Sequence, residues 1–262
     1  MATKNTILTE KDSRLLEKTL VKYSRIVQIS DLMEIFTKEY SVASAHNRIS
    51  FLNKAGWLMR IKKGSYLIID SITSRSFSDM SLIRISNSLQ KESYVTLSAA
   101  LNYYQMFDQY TKKITACSLK ISKKYIFSGH IFKFSKISKK LYFGYKEKRE
   151  AGQIICIADA EKALIDYLYL DKNIYSANLV YEKIVKHHKD INIDRLQEYA
   201  KQSEIVTLQR KIGFLLENAN LNADKLYEVI KREKSCSRFT KNSKLFNSKW
   251  RIYYEDSIIR KA

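Results

Sequence analysis

Apolar residues recur at helical spacing near the start of the chain and predict a first helix. Thr9 and Asp12 are spaced as in a capping box, in which the first side chain accepts a hydrogen bond from a main-chain N–H three residues later. The apolar positions that follow are Leu15, Leu16, Leu20 and Val21. Because residues one turn apart share a side of a helix, this pattern predicts a helix with one buried face.

Two further helices are predicted before residue 55. Ser30 is a candidate N-cap for a short helix, whose apolar residues are Leu32, Met33 and Phe36. The third helix is expected from about Ser44 to Lys54, and the residues of its buried face are Ala45, Ile49 and Leu52. The opposite face is polar and carries His46, Asn47, Ser50, Asn53 and Lys54.

A β-hairpin is expected directly after the third helix. Gly56 stands where a helix end favours a left-handed residue. Two apolar runs follow, Trp57 to Ile61 and Tyr66 to Ile69, and residues 62–65, Lys-Lys-Gly-Ser, are suited to the turn between them. Three helices and a basic hairpin in this order are the layout of a winged helix-turn-helix. The serine-rich stretch 70–77 predicts a domain boundary.

The remainder of the chain predicts a second, larger domain that opens with helices and strands. The first helices are expected at 79–89 and from Thr96 onward. Alternating and β-branched residues then predict strands at 114–121, 125–127, 131–134 and 141–145. Gly129 marks a hairpin between two of them, and a buried strand is expected at 153–157. We expect these strands to pair in antiparallel fashion.

A helical run is predicted to follow these strands. Asp159 is a candidate N-cap, and helices are expected at 159–167, 175–186, 194–201, 203–218 and 222–231. A short strand at 250–254 completes the pattern. The predicted fold class is therefore α+β, with a winged helix-turn-helix over residues 1–70 and a larger α+β domain of antiparallel strands and a C-terminal helical run over residues 71–262.

Composition places the chain among folded proteins that attract polyanions. The 262 residues are 45% apolar and 12% aromatic, which is enough for a core. No apolar run approaches the ~18 residues that a membrane helix needs. The formal net charge of +20 attracts nucleic acid or an anionic membrane surface. Because residues with A/T-rich codons are abundant, codon usage explains part of the lysine excess, and the positions of the charges matter more than their sum.

Cellular setting and cofactors are predicted from what the sequence lacks. The polar segment 1–10 has no apolar run of the kind that a secretory signal contains. The cysteines, Cys117, Cys156 and Cys236, are far apart and lack the paired spacing of a zinc site. We therefore expect a cytoplasmic protein with inert thiols, no metal and no cofactor.

The third helix and the hairpin form the candidate interface with double-stranded DNA. A helix fits the major groove of B-DNA, and a wing reaches phosphates or the minor groove. Asn47 suits adenine, whereas Arg48 can reach a guanine or a phosphate. The candidate contact residues are Ser44, His46, Asn47, Arg48, Ser50, Lys54, Arg60, Lys62, Lys63 and Tyr66. For any one of them, an ordinary solvated side chain is the alternative interpretation.

The second domain carries no recognisable catalytic constellation. It has no glycine-rich phosphate loop, and the adjacent His187 and His188 diverge on a helix instead of chelating a metal. Asp159 and Glu161 are better explained as an N-cap and a first-turn carboxylate than as an acid–base pair. We therefore expect a protein that is not an enzyme. A solvated face or an accessory surface for an acidic partner or nucleic acid would account for the strand lysines, Lys112, Lys113, Lys120, Lys123, Lys124, Lys133, Lys136, Lys139, Lys140, Lys146 and Lys148.

Four segments, in order along the chain, resemble the AbiEi antitoxins of type IV abortive-infection toxin–antitoxin systems. Residues 55–66, with Gly-Trp-Leu followed by Arg-Ile-Lys-Lys-Gly-Ser-Tyr, are similar to the family's passage from helix to wing. Residues 94–104 resemble the first helix of its second domain, and Leu-Tyr-Phe-Gly-Tyr at 141–145 resembles its central strand. Residues 155–166 resemble its segment of pattern IADPEKALLD. The resemblance spans about Leu15 to Tyr254.

Two positions depart from the family pattern. Ala160 stands where the family usually has proline, and Gln105 stands where it commonly has glycine after an aromatic pair. The resemblance implies a winged helix that binds inverted repeats upstream of its own operon and represses it. It also implies that the second domain counteracts a cognate nucleotidyltransferase-like toxin, AbiEii, without a stable complex.

Two other functions remain open on the sequence. One is a winged-helix regulator or defence protein unrelated to any toxin. The other is a nucleic-acid-processing enzyme whose C-terminal domain acts on a strand that the first domain holds. A neighbouring nucleotidyltransferase gene distinguishes the antitoxin from the first alternative, and chemistry that depends on Asp159 and Glu161 would reveal the second.

Overall fold

The computed structural model of the chain describes residues 8–69, 82–109, 111–150 and 153–259. The chain forms two compact units. The first is Met1–Lys91 with Lys148–Ile155, and the second is Glu92–Glu147 with Cys156–Ala262. The domain boundary expected at residues 70–77 lies outside the described residues, so the division at residue 70 stays a prediction.

The first unit contains four described helices and one small sheet. In chain order its elements are α1 (Glu10–Tyr23), β1 (Ile26–Gln28), α2 (Ile29–Phe36), α3 (Val42–Lys54), β2 (Leu58–Lys62), β3 (Ser65–Ile68) and α4 (Leu82–Leu89). The strands lie in the order β1-β3-β2, and both pairs are antiparallel. The three predicted helices and the hairpin are therefore present, and β1 is an additional strand too short to show a periodic pattern.

The helix caps of this unit agree with the sequence in one case and differ in another. Thr9 caps α1, because its hydroxyl accepts a hydrogen bond from the Asp12 N–H at 3.2 Å. Ser30 is not the cap of α2. The helix begins at Ile29, and Gln28, the last residue of β1, is its N-cap, two residues before the predicted one, with Asp31 accepting from the Gln28 N–H at 2.7 Å.

The core of the first unit joins the inner faces of α1, α2 and α3 to the sheet. Its fully buried members include Val27, Leu32, Phe36, Leu52 and Ile68. Val21 was expected on the buried face of α1, but 84% of it is exposed. The helix has its buried stripe at Asp12, Leu15, Leu16 and Thr19, so Val21 points away from it.

Both glycines predicted to punctuate the hairpin have the left-handed conformation. Gly56, after α3, has φ 81°, and Gly64, in the turn between β2 and β3, has φ 75°. The turn is also tied to the start of α2, since Ile29 donates its main-chain N–H to the Gly64 carbonyl at 2.8 Å. The hairpin turn is thus held by main-chain hydrogen bonds on its inner side.

The second unit opens with a sheet and one short helix. Its elements up to α6 are β4 (Ser93–Thr96), α5 (Ser98–Tyr103), β5 (Lys113–Ser118), β6 (Lys123–Phe127), β7 (His130–Lys136), a 3-10 turn (Lys139–Leu141), β8 (Tyr145–Glu150) and β9 (Gln153–Ala158). Residues 148–150 of β8 and 153–155 of β9 belong to the first unit. Gly129, between β6 and β7, has φ 76° and forms the predicted hairpin turn.

The six-stranded sheet is mixed, so the expectation of antiparallel strands was wrong in part. Its order is β6-β7-β5-β4-β9-β8. Strands β5 and β7 are parallel, because the second strand of the β6–β7 hairpin lies beside β5. Strands β4 and β9 are also parallel. The coarse class, α+β, holds for the described residues.

Two local assignments in this region were also wrong. Thr96 was expected to cap a helix, but it ends the buried strand β4, and the helix begins at Ser98. Residues 141–145 were expected to be a strand, whereas the chain makes a 3-10 turn there and β8 begins at Tyr145. Every residue of β4 is buried, so its sequence lacks the alternation that identifies a strand with one exposed face.

Helices form most of the remaining second unit, as predicted. They are α6 (Ala160–Leu170), α7 (Ile174–Lys186), α8 (Ile193–Gln202), α9 (Val206–Asn218) and α10 (Asp224–Ile230). Helix α6 is central and packs against α5, α7, α8 and α9. A second sheet follows, formed by β10 (Ser237–Arg238), β11 (Leu245–Asn247) and β12 (Ile252–Tyr254) in the order β10-β12-β11. Among the described residues, none of the helices has the length and apolar character needed to cross a lipid bilayer.

Candidate nucleic-acid interface

Helix α3 separates its apolar and polar residues as the sequence predicts. Ser41 caps the helix, its hydroxyl accepting a hydrogen bond from the Ser44 N–H at 3.3 Å. The residues of the buried face are Ala45, Ile49 and Leu52. The exposed candidate contact residues are Ser44, His46, Asn47, Ser50 and Lys54. The predicted buried face is thus confirmed, and the helix begins two residues earlier than expected.

The outward polar side chains of α3 have few partners within the protein. Ser44 accepts a hydrogen bond from the Ser41 hydroxyl at 2.9 Å. For His46, Asn47, Ser50 and Lys54, the described ranges of the chain provide no side-chain hydrogen bond or ion pair. Their donors and acceptors therefore point to solvent, which leaves them available to an external ligand.

Arg48 differs from its neighbours because it is committed to an internal ion pair. Its Nε donates to Asp12 Oδ1 at 2.7 Å, and its Nη2 bonds the other oxygen of the same carboxylate. Burial by itself would raise the pKa of Asp12, but hydrogen bonds from Arg48 and Thr9 outweigh it and hold this pKa below its ordinary value. Arg48 thus fastens α3 to α1, and reading a base would break that pair.

Phe51 is an exposed residue of the outward face that the sequence analysis did not single out. It lies four residues after Asn47 and one turn before Lys54, and 44% of it is exposed. The Arg48 guanidinium stacks over its ring, with the guanidinium carbon 4.5 Å from the ring centroid. The helical spacing of Asn47, Phe51 and Lys54 is the signal that could have identified it.

The four hairpin candidates divide into two pairs. Arg60 and Lys63 are exposed. Lys62 instead donates to the carbonyls of Ser88 and Leu89, at 3.0 and 2.8 Å, and so binds the C-terminal end of α4. Tyr66 is half-buried against the core of the first unit and lies opposite Arg60 in the β2–β3 ladder.

Charge is segregated along the first unit. The segment 41–69, which includes α3 and the hairpin, has five basic residues and no carboxylate side chain. Two carboxylates before this segment pair instead with basic residues of α1: Glu39, which follows α2, with Lys11 and Arg14, and Glu34 of α2 with Lys22. Apart from Arg48, which pairs with Asp12, the basic residues of the α3 and hairpin segment give it a net positive charge, which favours a polyanion.

The carboxylates of α6 have structural partners. Asp159 caps the helix as predicted, since its Oδ1 accepts a hydrogen bond from the Lys162 N–H at 2.9 Å. The Tyr199 hydroxyl donates to its other oxygen at 2.8 Å. Burial raises the pKa of Asp159, although these hydrogen bonds act in the opposite direction.

Glu161 lies in the first turn of α6, as the sequence predicts, and its side chain is buried. It is 1% exposed, and its Oε1 accepts hydrogen bonds from the Asn192 main-chain N–H at 2.7 Å and from Arg195 Nη2 at 2.8 Å. Because Asn192 is the N-cap of α8, Glu161 connects α6 to the start of that helix.

A buried ion pair in the middle of α6 escaped the sequence analysis. Lys162 donates to Asp166 at 2.5 Å, and both side chains are at most 1% exposed. The second oxygen of Asp166 accepts hydrogen bonds from the Thr96 and Tyr94 hydroxyls of β4, at 2.8 and 3.2 Å. The i, i+4 spacing of Lys162 and Asp166 is the signal in the sequence, although it is more often found on exposed faces.

The remaining candidates of the second unit are scattered. Of the histidines, His188 contacts the Val185 carbonyl at the end of α7, and His130 contacts the Ser128 carbonyl beside its turn. Cys117 is buried, Cys156 is half-buried and Cys236 is exposed. Within the described ranges, acidic, histidine and cysteine side chains do not gather in threes that could hold a metal ion.

The comparisons with known proteins identify a similar fold, but they do not identify a family. No family model matches the sequence, and no curated protein matches it. Among solved structures, the crystal structure of the RV2827C protein from Mycobacterium tuberculosis has a TM-score of 0.64 and covers 97% of this chain and 94% of that chain. The two sequences are 12% identical, so the likeness shows a shared α+β fold alone.

Proposed function

We propose that the first unit is a winged helix-turn-helix that binds double-stranded DNA, with α3 in the major groove and the β2–β3 hairpin as the wing. The order of its elements supports this proposal. The elements follow in the order helix, strand, two helices and two strands. The three strands form an antiparallel sheet behind α3. In such domains the third helix presents its outward face to base edges.

The observation that carries the proposal is the outer face of α3, which has no carboxylate and whose His46, Asn47, Ser50 and Lys54 side chains have no partner among the described residues. Asn47 is placed to make a bidentate contact with adenine, and His46 and Ser50 offer further compact polar groups. The exposed ring of Phe51 suits the methyl group of thymine. Lys54, Arg60 and Lys63 neutralise phosphates and Tyr66 supports the wing. We assign Arg48 and Lys62 to positioning α3 and the hairpin, since both are committed to internal partners.

A titration of the full chain with duplex DNA from its own upstream region tests this role. Asn47→Ala should weaken binding to the preferred site by about 1–3 kcal/mol and leave random DNA unaffected. Asn53→Ala is the matched control, because Asn53 is the same residue type on the same helix but is half-buried, whereas the sequence had placed it on the exposed polar face. Equal losses for the two variants, or an equal loss on random DNA, would contradict base reading by α3.

At the level of the cell, we propose that the chain is an antitoxin of the AbiEi kind. It would repress its own operon at inverted repeats and counteract a nucleotidyltransferase-like toxin through the second unit. The four resembling segments support this proposal, and so does the backbone at the family's glycine position, where Gln105 has φ 58°. The buried, hydrogen-bonded carboxylates of α6 favour a role in folding over catalysis.

The antitoxin role predicts a nucleotidyltransferase gene beside the gene of this chain, and co-expression of the two genes tests it. The full chain should restore growth to cells that express the toxin. The Asn47→Ala variant should also restore growth while losing repression of its own promoter, because the two activities reside in different units. If neither chain restores growth, the protein is a DNA-binding regulator of another kind.

A further inference from the structure

The small C-terminal sheet presents one cation and two aromatic rings in a row on its exposed face. Its register places Arg238 beside Tyr253, and Tyr253 beside Phe246, across the strands β10, β12 and β11. The Arg238 guanidinium carbon lies 4.0 Å from the centroid of the Tyr253 ring. The Tyr253 and Phe246 ring centroids are 4.9 Å apart. We call these three residues the aromatic platform.

The opposite face of the same sheet is buried at its centre and exposed at its β11 edge, where Leu245 lies, and the platform is on the other side. Ile252 is fully buried, and Tyr254 packs on Phe214 of α9 with ring centroids 4.8 Å apart. On the platform side, Arg238 is exposed and 47% of Phe246 is exposed. An exposed phenylalanine beside a half-buried tyrosine leaves a ring face open for stacking.

The platform is rigid as well as exposed. Arg238 Nη1 donates to the Ser243 carbonyl at 2.8 Å, which fixes the guanidinium over the Tyr253 ring. Ser243 is itself 1% exposed and accepts a hydrogen bond from the Thr240 N–H at 3.0 Å. A stacking surface held in this way loses little side-chain entropy when a flat ligand binds.

The segment that carries the platform is strongly basic. Residues 231–254 contain eight basic side chains and one carboxylate, Glu233. Some of these basic side chains form ion pairs within the unit, such as Lys231 with Glu228 and Lys249 with Glu217. The exposed bases for which the described residues provide no side-chain partner are Arg232, Lys234, Lys241 and Lys244. The surroundings of the platform therefore complement a polyanion.

We propose that this platform binds single-stranded RNA. An unpaired base stacks on the exposed ring of Phe246, beside the Tyr253 ring that Arg238 covers, and the flanking phosphates contact Lys241 and Lys244. Aromatic stacking with cations along the strand is how proteins hold unpaired nucleic acid. A duplex is excluded from this contact because its base faces are already stacked on each other. We expect the bound single strand to be RNA, because proteins recognise the bases of RNA in unpaired loops.

A matched pair of neighbouring variants tests the platform in the full chain. Leu245 and Phe246 are adjacent on β11 and equally exposed, at 45% and 47%, but they pair in the ladder with different partners and point to opposite faces. Phe246→Ala should weaken binding of a ten-nucleotide RNA strand about tenfold, since one stacked base contributes ~1–3 kcal/mol. Leu245→Ala should change it less than twofold. Equal effects would overturn the proposal.

Charge and strand type supply the second arm of the test. Replacing Lys241 and Lys244 by Gln should lower the salt slope of RNA binding by about 1.4, as expected for two phosphates of a single strand. Phe246→Ala should leave duplex DNA affinity unchanged, which separates the platform from α3. A DNA strand that binds more tightly than the RNA of equal sequence, or an acidic peptide that displaces the RNA through the platform, would overturn the assignment.

Discussion

Helices α3 and α6 use similar polar residues in opposite ways. Both begin at a polar cap, Ser41 in one and Asp159 in the other. On α3 the polar groups after the cap face solvent and have few internal partners, whereas on α6 the charged groups face inward and are held by hydrogen bonds. Residue type alone does not distinguish a binding face from a buried network. The partners of each side chain do.

The physical reason for the difference lies in the neighbours of each helix. Helix α6 is surrounded by α5, α7, α8 and α9, so a charge on it must find a partner inside the unit. Among the described residues, helix α3 packs against α2 and β2 and is joined to α1 through Arg48, while its outer face stays exposed. Its outer side chains can therefore remain without internal partners at no cost in stability. Substitutions on α6 should consequently affect folding, and those on the outer face of α3 should affect binding.

The largest expected effect is on the buried pair of α6. Lys162→Met should lower the free energy of unfolding by about 3–5 kcal/mol, because it leaves the Asp166 carboxylate buried without its cation. Urea unfolding of the full chain measures this loss. The double variant Lys162→Met with Asp166→Leu is the control and should recover a large part of it. A loss under 1 kcal/mol for the single variant would contradict a structural role.

The ion pair between α1 and α3 should have the next largest effect. Arg48→Ala should lower the free energy of unfolding by about 2 kcal/mol, since Asp12 loses two charge-assisted hydrogen bonds. The pKa of Asp12 lies below its ordinary value of 3.8 in the folded protein, so the pair contributes its full stability above that pH. That stability is lost as the pH falls from 3.8 through the lowered folded pKa.

Unfolding measured at neutral and at acid pH checks the sign of this effect. The difference between the wild-type chain and Arg48→Ala should be constant at neutral pH and should shrink below the ordinary Asp12 value of 3.8. A difference that grows on acidification would mean that the carboxylate is not the group that Arg48 stabilises.

The hairpin allows a direct comparison between basic side chains with an internal partner and exposed basic side chains. Replacing Arg60 and Lys63 by Ala should lower the salt slope of duplex DNA binding by about 1.8, the value for two phosphates. Lys62→Ala should leave that slope unchanged and lower stability instead, because Lys62 bonds carbonyls at the end of α4. A similar change of slope for Lys62→Ala would place its ammonium on the DNA.

The smallest expected effect is the change in the free energy of unfolding when residues of the outer face of α3 are replaced. Changing Asn47, Ser50 and Lys54 together to Ala should alter the free energy of unfolding by only about 0.5 kcal/mol. These side chains have no hydrogen-bond or ion-pair partner among the described residues. Urea unfolding beside the Lys162→Met variant gives the comparison directly. A loss of several kcal/mol would assign the outer face of α3 a structural role.

Periodic and capping signals predicted much of this fold. Thr9, Asp159, Gly56 and Gly129 have the roles that local sequence assigns to them, since a cap or a turn depends on residues only a few positions away. The buried face of α3 follows in the same way from its spacing.

Long-range partners could not be predicted. Arg48 meets a carboxylate 36 positions away, and Lys62 meets carbonyls 26 and 27 positions away. Strand β4 was missed because all of its residues are buried. The candidate site was therefore predicted as a surface, but the division of its bases into contacting and positioning residues required the structure.

Photocrosslinking of duplex DNA to α3 tests the central claim most directly. A photoreactive amino acid at position 47 of the full chain should crosslink to DNA from the upstream region of its own gene. The same amino acid at position 53, where the side chain is half-buried, should not. Crosslinking at 47 alone is the result that we predict. Equal crosslinking at both positions, or none at 47 while the duplex is bound, would contradict the claim that the outer face of α3 lies on DNA.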